Sequence, residues 1–162
     1  MTGQVVVRAV QPGDAESGAA CQVACWREAY GDIIDPERLA RLTAPVAERV
    51  ELWRRWIGEG RPIMVAADAG GVVGFAVADF VTEPDIDIDF QLYAINVRQV
   101  YWGSGIAQRL HDRSVGDRAA FLWVLRDNLR ARSFYVRNGY RPDGVEKLEE
   151  DFGATIIRMV RH

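Results

Sequence analysis

Two glycines that follow an apolar strand pattern are the first residues of this chain whose types and spacing could do chemistry. Gly103 and Gly105 come after the run Leu92–Val97, and the segment Gly105–Val115 has the pattern of a helix. Glycine removes the side chain where a ligand must approach the backbone closely. The unpaired N–H groups of a first helical turn, together with the helix dipole, favour an anion. The loop therefore predicts a pyrophosphate site, although a tight strand-to-helix connection would by itself also explain both glycines.

A second segment carries two polar side chains at a helical spacing. The apolar run Ala120–Leu125 leads into Asn128, and Tyr135 follows seven residues later. Two helical turns place such residues on the same face. Gly139 can end this helix in a left-handed conformation. The pattern predicts a helix over Asn128–Asn138 that presents Asn128 and Tyr135 to one site.

Length, charge and hydropathy restrict the class of protein. The 162 residues fit a single domain over 1–162 with a core of useful size. A formal charge of -3 argues against a general nucleic-acid binder. The N-terminus lacks the pattern of a signal peptide, and no apolar run approaches a membrane span. We therefore expect a cytoplasmic protein without a nucleic-acid or membrane partner.

Several residues with reactive side chains have a structural explanation. Cys21 and Cys25 lie on one helix face, where such residues are more often small core hydrophobes than ligands. Imidazole could come only from His111 and His162, so we expect no metal site. We expect His111 to be exposed on its helix. Trp53 and Trp56 are expected to be packing residues. Arg130, Arg132 and Arg137 could meet the phosphates of a ligand, but helix-surface charge is the default expectation.

The apolar periodicity predicts a mixed α/β domain with helices packed on a central sheet. Asp14 is predicted to cap a helix that runs to about Tyr30, Asp35 and Pro36 to open a short helix, and Thr43 to cap a longer one. A hairpin is predicted from Ile63–Ala67 and Val72–Val81. The remaining predicted strands are Gln4–Val10, Asp89–Val97, Ala120–Leu125, Gly139–Tyr140 and Ala154–Val160.

The glycine loop and the later helix together resemble two motifs of the GCN5-related N-acetyltransferase (GNAT) superfamily. The cofactor loop of that family is usually written Q/R-x-x-G-x-G/A, and residues 102–107 read Trp-Gly-Ser-Gly-Ile-Ala. The later motif, N-x-x-A-x-x-x-Y-x-x-x-G-F, is matched at Asn128, Ala131, Tyr135 and Gly139, with Tyr in place of the final Phe.

Two earlier segments extend the resemblance. Residues 71–76 are similar to the family's G-x-(I/V)-V-G-(F/Y) strand, and residues 26–31 are similar to the W-x-x-A-Y-x-G segment of many bacterial members. The likeness covers about residues 4–160, and its specific part is 91–140. Motifs in the right order and structural context carry much more weight than any one of them.

The resemblance implies a GNAT-like α/β fold with a mixed, mostly antiparallel central sheet that is splayed at the cofactor strand and flanked by helices. Acetyl-CoA, as co-substrate, would lie in a V-shaped gap between the strands that end at Val97 and Leu125. Trp102 departs from the usual Gln or Arg, so a side-chain contribution to the phosphates is expected to be lost. The resemblance assigns cofactor contacts to Ile95, Asn96, Val97, Trp102, Gly103, Ser104, Gly105, Ile106, Ala107, Gln108 and Asn128.

Acyl transfer from a thioester to an amine needs a neutral nitrogen, a stabilised oxyanion and a protonated leaving thiolate. An alkylamine has a pKa of ~10.4, so holding it neutral at pH 7 costs about 4.6 kcal/mol. The Tyr135 hydroxyl stays protonated at neutral pH and can donate to the departing sulfur. The family likeness gives the matching Tyr the same role of general acid. Backbone N–H groups near Ile95–Val97 are the expected oxyanion donors.

The general base is less well defined by the sequence. Asp89 is the first choice, because it shares a strand face with Gln91 and Tyr93. Alternatively, ordered water and backbone carbonyls remove the proton. The substrate-binding candidates are Trp26, Tyr30, Gln91 and Tyr93.

An acidic run precedes the cofactor strand and bears on the acceptor. Together with the region of Trp26 and Tyr30, it could form a negative, partly aromatic mouth that speeds the encounter with a cationic amine. A solvated loop is the other interpretation of the same residues. The run contains Glu83, Asp85, Asp87 and Asp89.

The function expected from these residues is transfer of an acetyl group from acetyl-CoA to a primary amine of a small molecule. One alternative is a non-catalytic acyl-CoA-binding or sensing module, because the Glu that many relatives carry is replaced by Gln91. Another is a peptide, protein or antibiotic-modifying N-acetyltransferase, which shares the reaction and differs only in the acceptor. The family often forms homodimers, but no feature of the sequence demonstrates an interface.

Overall fold

One seven-stranded sheet organises residues 3–162, the part of the chain that the computed structural model describes. The strands are β1 (Val6–Ala9), β2 (Ile63–Asp68), β3 (Gly71–Phe80), β4 (Phe90–Val97), β5 (Ala120–Leu125), β6 (Arg141–Glu149) and β7 (Ala154–Arg161). The helices are α1 (Ala15–Tyr30), α2 (Pro36–Thr43), α3 (Val46–Gly58), α4 (Ile106–Ser114) and α5 (Leu129–Arg137).

The sheet is mixed and mostly antiparallel, with the strand order β1-β2-β3-β4-β5-β7-β6. Only β4 and β5 run parallel, and their pairing is confined to Gln91 with Phe121 and Leu92 with Leu122. Beyond Leu92 the two strands separate, so the half of β4 that ends at Val97 has no partner on its β5 side. This is the α/β fold class that the sequence predicted, with the splay between the expected pair of strands.

Helices cover both faces of the sheet. On one face, α1 and α3 bury Trp53 and the cysteines against β2 and β3. The two cysteine Sγ atoms, of Cys21 and Cys25, lie 3.8 Å apart inside this core, as the prediction of small core residues required. On the opposite face, α4 packs over β1, β2 and β3, and α5 packs over β5 and β7.

A β-bulge interrupts β4 in the middle of the sheet. Val77 pairs with Ala94 while Ala78 pairs with Leu92, so Tyr93 is the extra residue. An extra residue reverses the alternation of side chains beyond it. Leu92 and Ile95 therefore face the α5 side together, whereas Ala94 packs on the side of α1 and α3. The bulge decides which residues of β4 meet the gap between β4 and β5.

The predicted hairpin, the strand Ala120–Leu125 and the two helices after the glycine loop and after Asn128 are confirmed. Asp35 caps α2 by accepting a hydrogen bond from the Arg38 backbone N–H. Thr43, however, does not cap α3. It is the last residue of α2, and its buried hydroxyl donates to the Leu39 carbonyl at 2.8 Å.

Strand β6 was largely missed. The prediction placed strand at Gly139–Tyr140, whereas the strand runs from Arg141 to Glu149 at the edge of the sheet. Its residues are mostly exposed, so no alternation of apolar and polar residues marks it. No helix among the described residues has both the length and the apolar character needed to cross a bilayer.

Candidate active site

The glycine loop leaves open space and free backbone N–H groups at the start of α4, and we call this arrangement the cradle. Gly103 and Gly105 have φ angles of +77° and +87°, values that cost other residues about 1–2 kcal/mol. A Cβ added at either position would meet no heavy atom of the protein within 4 Å. Arg109 N–H makes the bond to the Gly105 carbonyl, at 3.1 Å. The N–H groups of Ala107 and Gln108 precede that bond, so they are left for a ligand.

A cavity of about 420 Å³, which we call the loop cavity, opens at this cradle. It extends from the loop to the facing surface of α5. Its walls are formed by Ile95, Val97, Gly103, Gly105, Ala107, Gln108, Arg130, Ala131, Phe134, Tyr135 and Arg137.

A second cavity of about 380 Å³, which we call the aromatic cavity, lies on the other side of the splayed strands. Trp26 and Tyr30 of α1 line it with Tyr93 of the bulge, and these are three of the four residues that the sequence offered as substrate-binding candidates. Trp56, which was predicted to be a packing residue, also lines this cavity. Further aromatic walls come from Phe75, Trp123 and Phe152.

The two cavities meet in the gap between β4 and β5. Ile95 and Val97 of β4 line both of them, and so do Arg130, Ala131 and Tyr135 of α5. A molecule bound along the loop cavity would therefore meet a molecule in the aromatic cavity beside Tyr135. Asn96, the other β4 residue expected at the cofactor, lines only the aromatic cavity.

Tyr135 is fixed by the end of α5. The Gly139 N–H donates to the Val136 carbonyl at 3.1 Å and the Tyr140 N–H donates to the Tyr135 carbonyl at 3.0 Å, with Gly139 at φ +91°. This Schellman motif also brings the rings of Tyr135 and Tyr140 to 5.8 Å. Burial raises the pKa of Tyr135 well above its usual range, and nearby Tyr30 adds to the effect. The hydroxyl is therefore protonated at neutral pH.

Asn128 caps α5 with one polar atom of its side chain and leaves the other polar group free for a ligand. Its Oδ1 accepts a hydrogen bond from the Ala131 N–H at 3.2 Å, which caps the helix. The side chain also lines the aromatic cavity. Its Nδ2 group is therefore the part that can donate to a ligand in the gap.

Trp102 and Arg130 form a bridge across the gap. The Trp102 Nε1 donates to the Val97 carbonyl at 2.9 Å, and the Arg130 guanidinium lies 3.4 Å from the centroid of the indole. Burial lowers the pKa of Arg130, and the charge of Arg137 lowers it further. Arg130 and Arg137 are exposed on α5, as expected of helix-surface charge, and both also line the loop cavity, which favours the other interpretation, contact with phosphates. They supply the positive charge that Trp102 itself lacks.

The acidic run does not reach either cavity. Asp89 is exposed and, like Gln91, contributes to neither wall. Asp89 precedes Ile95 by six residues, about 20 Å of extended chain. Asp85 pairs with Arg158 at 2.8 Å, and this hydrogen bond lowers the pKa of Asp85. The predicted roles of Asp89 as base and Gln91 as substrate ligand, and the negative mouth, therefore lose their geometric basis.

Two charged residues of the aromatic cavity were missed from the sequence. Glu149, at the end of β6, is the one carboxylate among the described lining residues, and Arg61 precedes β2. Neither residue lies in a recognisable motif, and β6 itself was not predicted. No local signal could have found them.

His111 is buried, with 1% of its surface exposed, so the prediction that it is exposed is wrong. One ring nitrogen, Nε2, lies 3.0 Å from the Tyr140 hydroxyl. Burial lowers the pKa of His111, and the charge of Arg161 acts in the same direction. The imidazole holds α4 against the end of α5 and lines neither cavity.

Comparison with known proteins identifies the class of this fold and site. The family model described as an acetyltransferase (GNAT) domain matches residues 59–142. The chain belongs to the GNAT acetyltransferase family. It is 29% identical over 142 residues to the protein named "Probable N-acetyltransferase Rv2775" of Mycobacterium tuberculosis, a match that covers 85% of this chain and 80% of that protein.

Solved structures show the same fold. The structure of PaiA N-acetyltransferase from Thermoplasma acidophilum, in complex with coenzyme A, superposes with a TM-score of 0.75 at 15% identity and covers 98% of this chain and 99% of that one. The structure of histone acetyltransferase HPA2 and related acetyltransferase from Corynebacterium glutamicum gives a TM-score of 0.68 at 20% identity over 99% and 96% of the two chains.

Acetyl-CoA is the co-substrate of this acetyltransferase, and the residues present fit it. The loop cavity offers open N–H groups, space that a Cβ would fill and two guanidinium groups, which suit a pyrophosphate. The half of β4 that has no partner on its β5 side offers backbone groups to an extended arm in the gap. Acetyl-CoA supplies the activated acetyl group as a thioester.

Proposed function

We propose that this acetyltransferase transfers the acetyl group of acetyl-CoA to a primary amine of a small molecule, with Tyr135 as general acid. The observation that supports this most directly is the position of Tyr135, whose side chain lines both cavities where they meet. A volume of about 380 Å³ lies within the range typical of small-molecule sites, which favours a small acceptor over a protein surface. One continuous sheet supports a single domain over 1–162.

The residues of the chain divide the reaction between them. The cradle from Gly103 to Gln108, with the backbone of Ile95–Val97, holds and orients the donor. Backbone N–H groups of that stretch stabilise the oxyanion when the amine nitrogen attacks the carbonyl carbon. As the carbon–sulfur bond breaks, the Tyr135 hydroxyl gives its proton to the sulfur. Solvent in the aromatic cavity takes the proton that the attacking nitrogen loses on becoming an amide, and it returns a proton to Tyr135.

The amine must reach the carbonyl carbon in its neutral form. Asp89 lies outside the cavity, so we propose that ordered water and backbone carbonyls carry the ammonium proton away, the second route that the sequence left open. The aromatic walls help, because a cavity that desolvates the ammonium form lowers its pKa. The cost to be met is about 4.6 kcal/mol for an unperturbed alkylamine at pH 7.

Replacing Tyr135 by Phe tests the proposal. Loss of a positioned general acid lowers kcat by about 10²–10⁴-fold. The affinity for coenzyme A is expected to stay close to that of the original protein, because the cradle is untouched. Release of free thiol with a panel of primary amines measures the rate, and calorimetry measures the affinity.

Tyr101→Phe is the matched control for this experiment. The Tyr101 hydroxyl donates to Asp68 at 2.7 Å and lines neither cavity, so the same chemical change there should leave kcat unchanged. Equal rates for Tyr135→Phe and the original protein would exclude Tyr135 as general acid. Binding of coenzyme A without turnover of any amine would favour a sensing module instead.

A further inference from the structure

The aromatic cavity contains a guanidinium group that no carboxylate of the described chain pairs with. Arg61 lines the cavity, and its guanidinium carbon lies 5.1 Å from the Trp56 ring centroid and 5.7 Å from that of Tyr93. Among residues 3–162 no Asp or Glu oxygen lies within 4.0 Å of its nitrogens, whereas five other arginines have such a partner. Those five are Arg8, Arg54, Arg98, Arg126 and Arg158.

The position of Arg61 is fixed by the end of α3. Gly60, at φ +72°, ends the helix, and the Arg61 N–H donates to the Trp56 carbonyl at 3.0 Å. The same turn thus sets both the guanidinium and the indole on which it packs. A guanidinium held on two aromatic rings loses little further freedom when it binds an anion, and its fork of donors matches a carboxylate.

The rest of the cavity indicates what would carry that anion. Its walls are mainly aromatic and aliphatic, and Glu149 is its one carboxylate among the described residues, against the two guanidinium groups of Arg61 and Arg130. Arg130 also lines the loop cavity, beside the cradle for the donor's phosphates. Arg61 is therefore the positive group that can bind the acceptor and lies outside the cavity for the donor's phosphates.

We propose that the acceptor is an amine that also carries a carboxylate on an apolar or aromatic body, and that Arg61 binds this carboxylate. This proposal rests on the proposed acetyl transfer to a small-molecule amine. The aromatic walls would pack on the body of the acceptor, and the amine would lie towards Tyr135. Arg61 acts here as a specificity-determining residue and takes no part in the proton transfers.

Matched pairs of acceptors test the proposal with the full chain and acetyl-CoA. L-Phenylalanine is compared with 2-phenylethylamine, and 6-aminohexanoate with hexylamine, so that each pair differs by one carboxylate and the pairs differ in its distance from the amine. In at least one pair, kcat/KM is expected to be about 10-fold or more higher for the member with the carboxylate, as for a charge-assisted hydrogen-bonded pair.

Variants of Arg61 connect that preference to the side chain. Arg61→Gln is expected to remove the preference, and Arg61→Lys, which keeps the charge without the planar fork, to leave part of it. Arg55→Gln is the control, because Arg55 is exposed on α3, the helix that Arg61 follows, and lies outside the cavity. It should keep the full preference. Thermal unfolding of each variant shows that it is folded.

The outcomes separate the two proposals. Turnover of the plain amines at rates equal to or above those of their carboxylated partners overturns the role of Arg61 and leaves acetyl transfer intact. A preference that survives Arg61→Gln overturns it as well. No turnover of any of the four amines, with coenzyme A still bound, overturns the proposed function.

Discussion

The burial of Tyr135 fixes both its position and its protonation. Its ring is held by the turn that ends α5, and the same apolar surroundings raise the pKa of its hydroxyl. A tyrosine in this state is a hydrogen-bond donor at every pH where the protein would work. It can give a proton to a departing thiolate, whereas it is a poor base towards an ammonium group. This environment supports the proposal that Tyr135 is the general acid.

At the same scale, Gly105→Ala is expected to weaken binding of coenzyme A by at least 10-fold. The left-handed backbone of Gly105 costs Ala about 1 kcal/mol, and the added methyl group enters the empty space of the cradle. Calorimetry measures the affinity, and urea unfolding measures the stability.

Gly144→Ala separates the backbone cost from the effect on the ligand. Gly144 has φ +90° and equally open surroundings, but it lies in β6 away from the loop. The Gly144→Ala protein should lose a similar amount of stability and keep its affinity for coenzyme A. Equal affinity for coenzyme A in both variants would contradict the proposal that the cradle binds coenzyme A.

Among the elements, α1 and α3 form the wall that carries Trp26, Tyr30 and Trp56 into the aromatic cavity. Their spacing depends on one close contact, since a Cβ at Gly18 would lie 2.3 Å from the ring of Trp53. That ring is fully buried, and its Nε1 donates to Gln22 Oε1 at 3.0 Å. The ring cannot move aside without breaking this bond.

Gly18→Ala should therefore destabilise the protein, although the same change usually stabilises a helix by up to about 1 kcal/mol. Overpacking of a buried site costs about 1–3 kcal/mol, and it outweighs the helix propensity. Gly58→Ala is the control, because a Cβ there meets nothing within 4 Å. Urea unfolding measures both. A Gly18→Ala protein as stable as the original would contradict the close packing of α1 on α3.

For the molecule as a whole, the His111 contact with Tyr140 ties α4 to the end of α5, and so ties the glycine loop to the turn that holds Tyr135. The folded state holds His111 neutral, because burial lowers its pKa below the unfolded value of about 6.5. The unfolded chain gains a proton as the pH falls through that value, while the folded chain does not. The stabilising effect is therefore complete above about pH 6.5 and is lost below it.

The free energy of unfolding of the original protein should fall between pH 7 and pH 5.5, and His111→Gln should make that fall shallower. The difference is at most about 1.4 kcal/mol per pH unit, the limit for one proton. His162→Gln replaces the other histidine, which is exposed at the C-terminus, and should keep the original slope. Parallel slopes for His111→Gln and the original protein would show that His111 does not cause the loss.

Much of the fold and half of the site are encoded locally, and the sequence by itself determined them. The glycine loop, the cap at Asn128 and the turn at Gly139 depend on backbone angles and hydrogen bonds within a few residues. The apolar periodicity of β2, β3 and β5 likewise needs no knowledge of distant contacts. These signals predicted the α/β class, which the structure confirms, and the cradle and Tyr135, whose roles stay predictions.

Only the tertiary structure decided which side chains from distant segments meet. The bulge at Tyr93 and the end of β4/β5 pairing set the gap, and edge strand β6, which carries no apolar pattern, brings Glu149 to the aromatic cavity. The same long-range arrangement buries His111, leaves Asp89 in solvent and stacks Arg130 on Trp102. Such contacts depend on strand order and register, which residues far apart in the chain determine together, so no local pattern contains them.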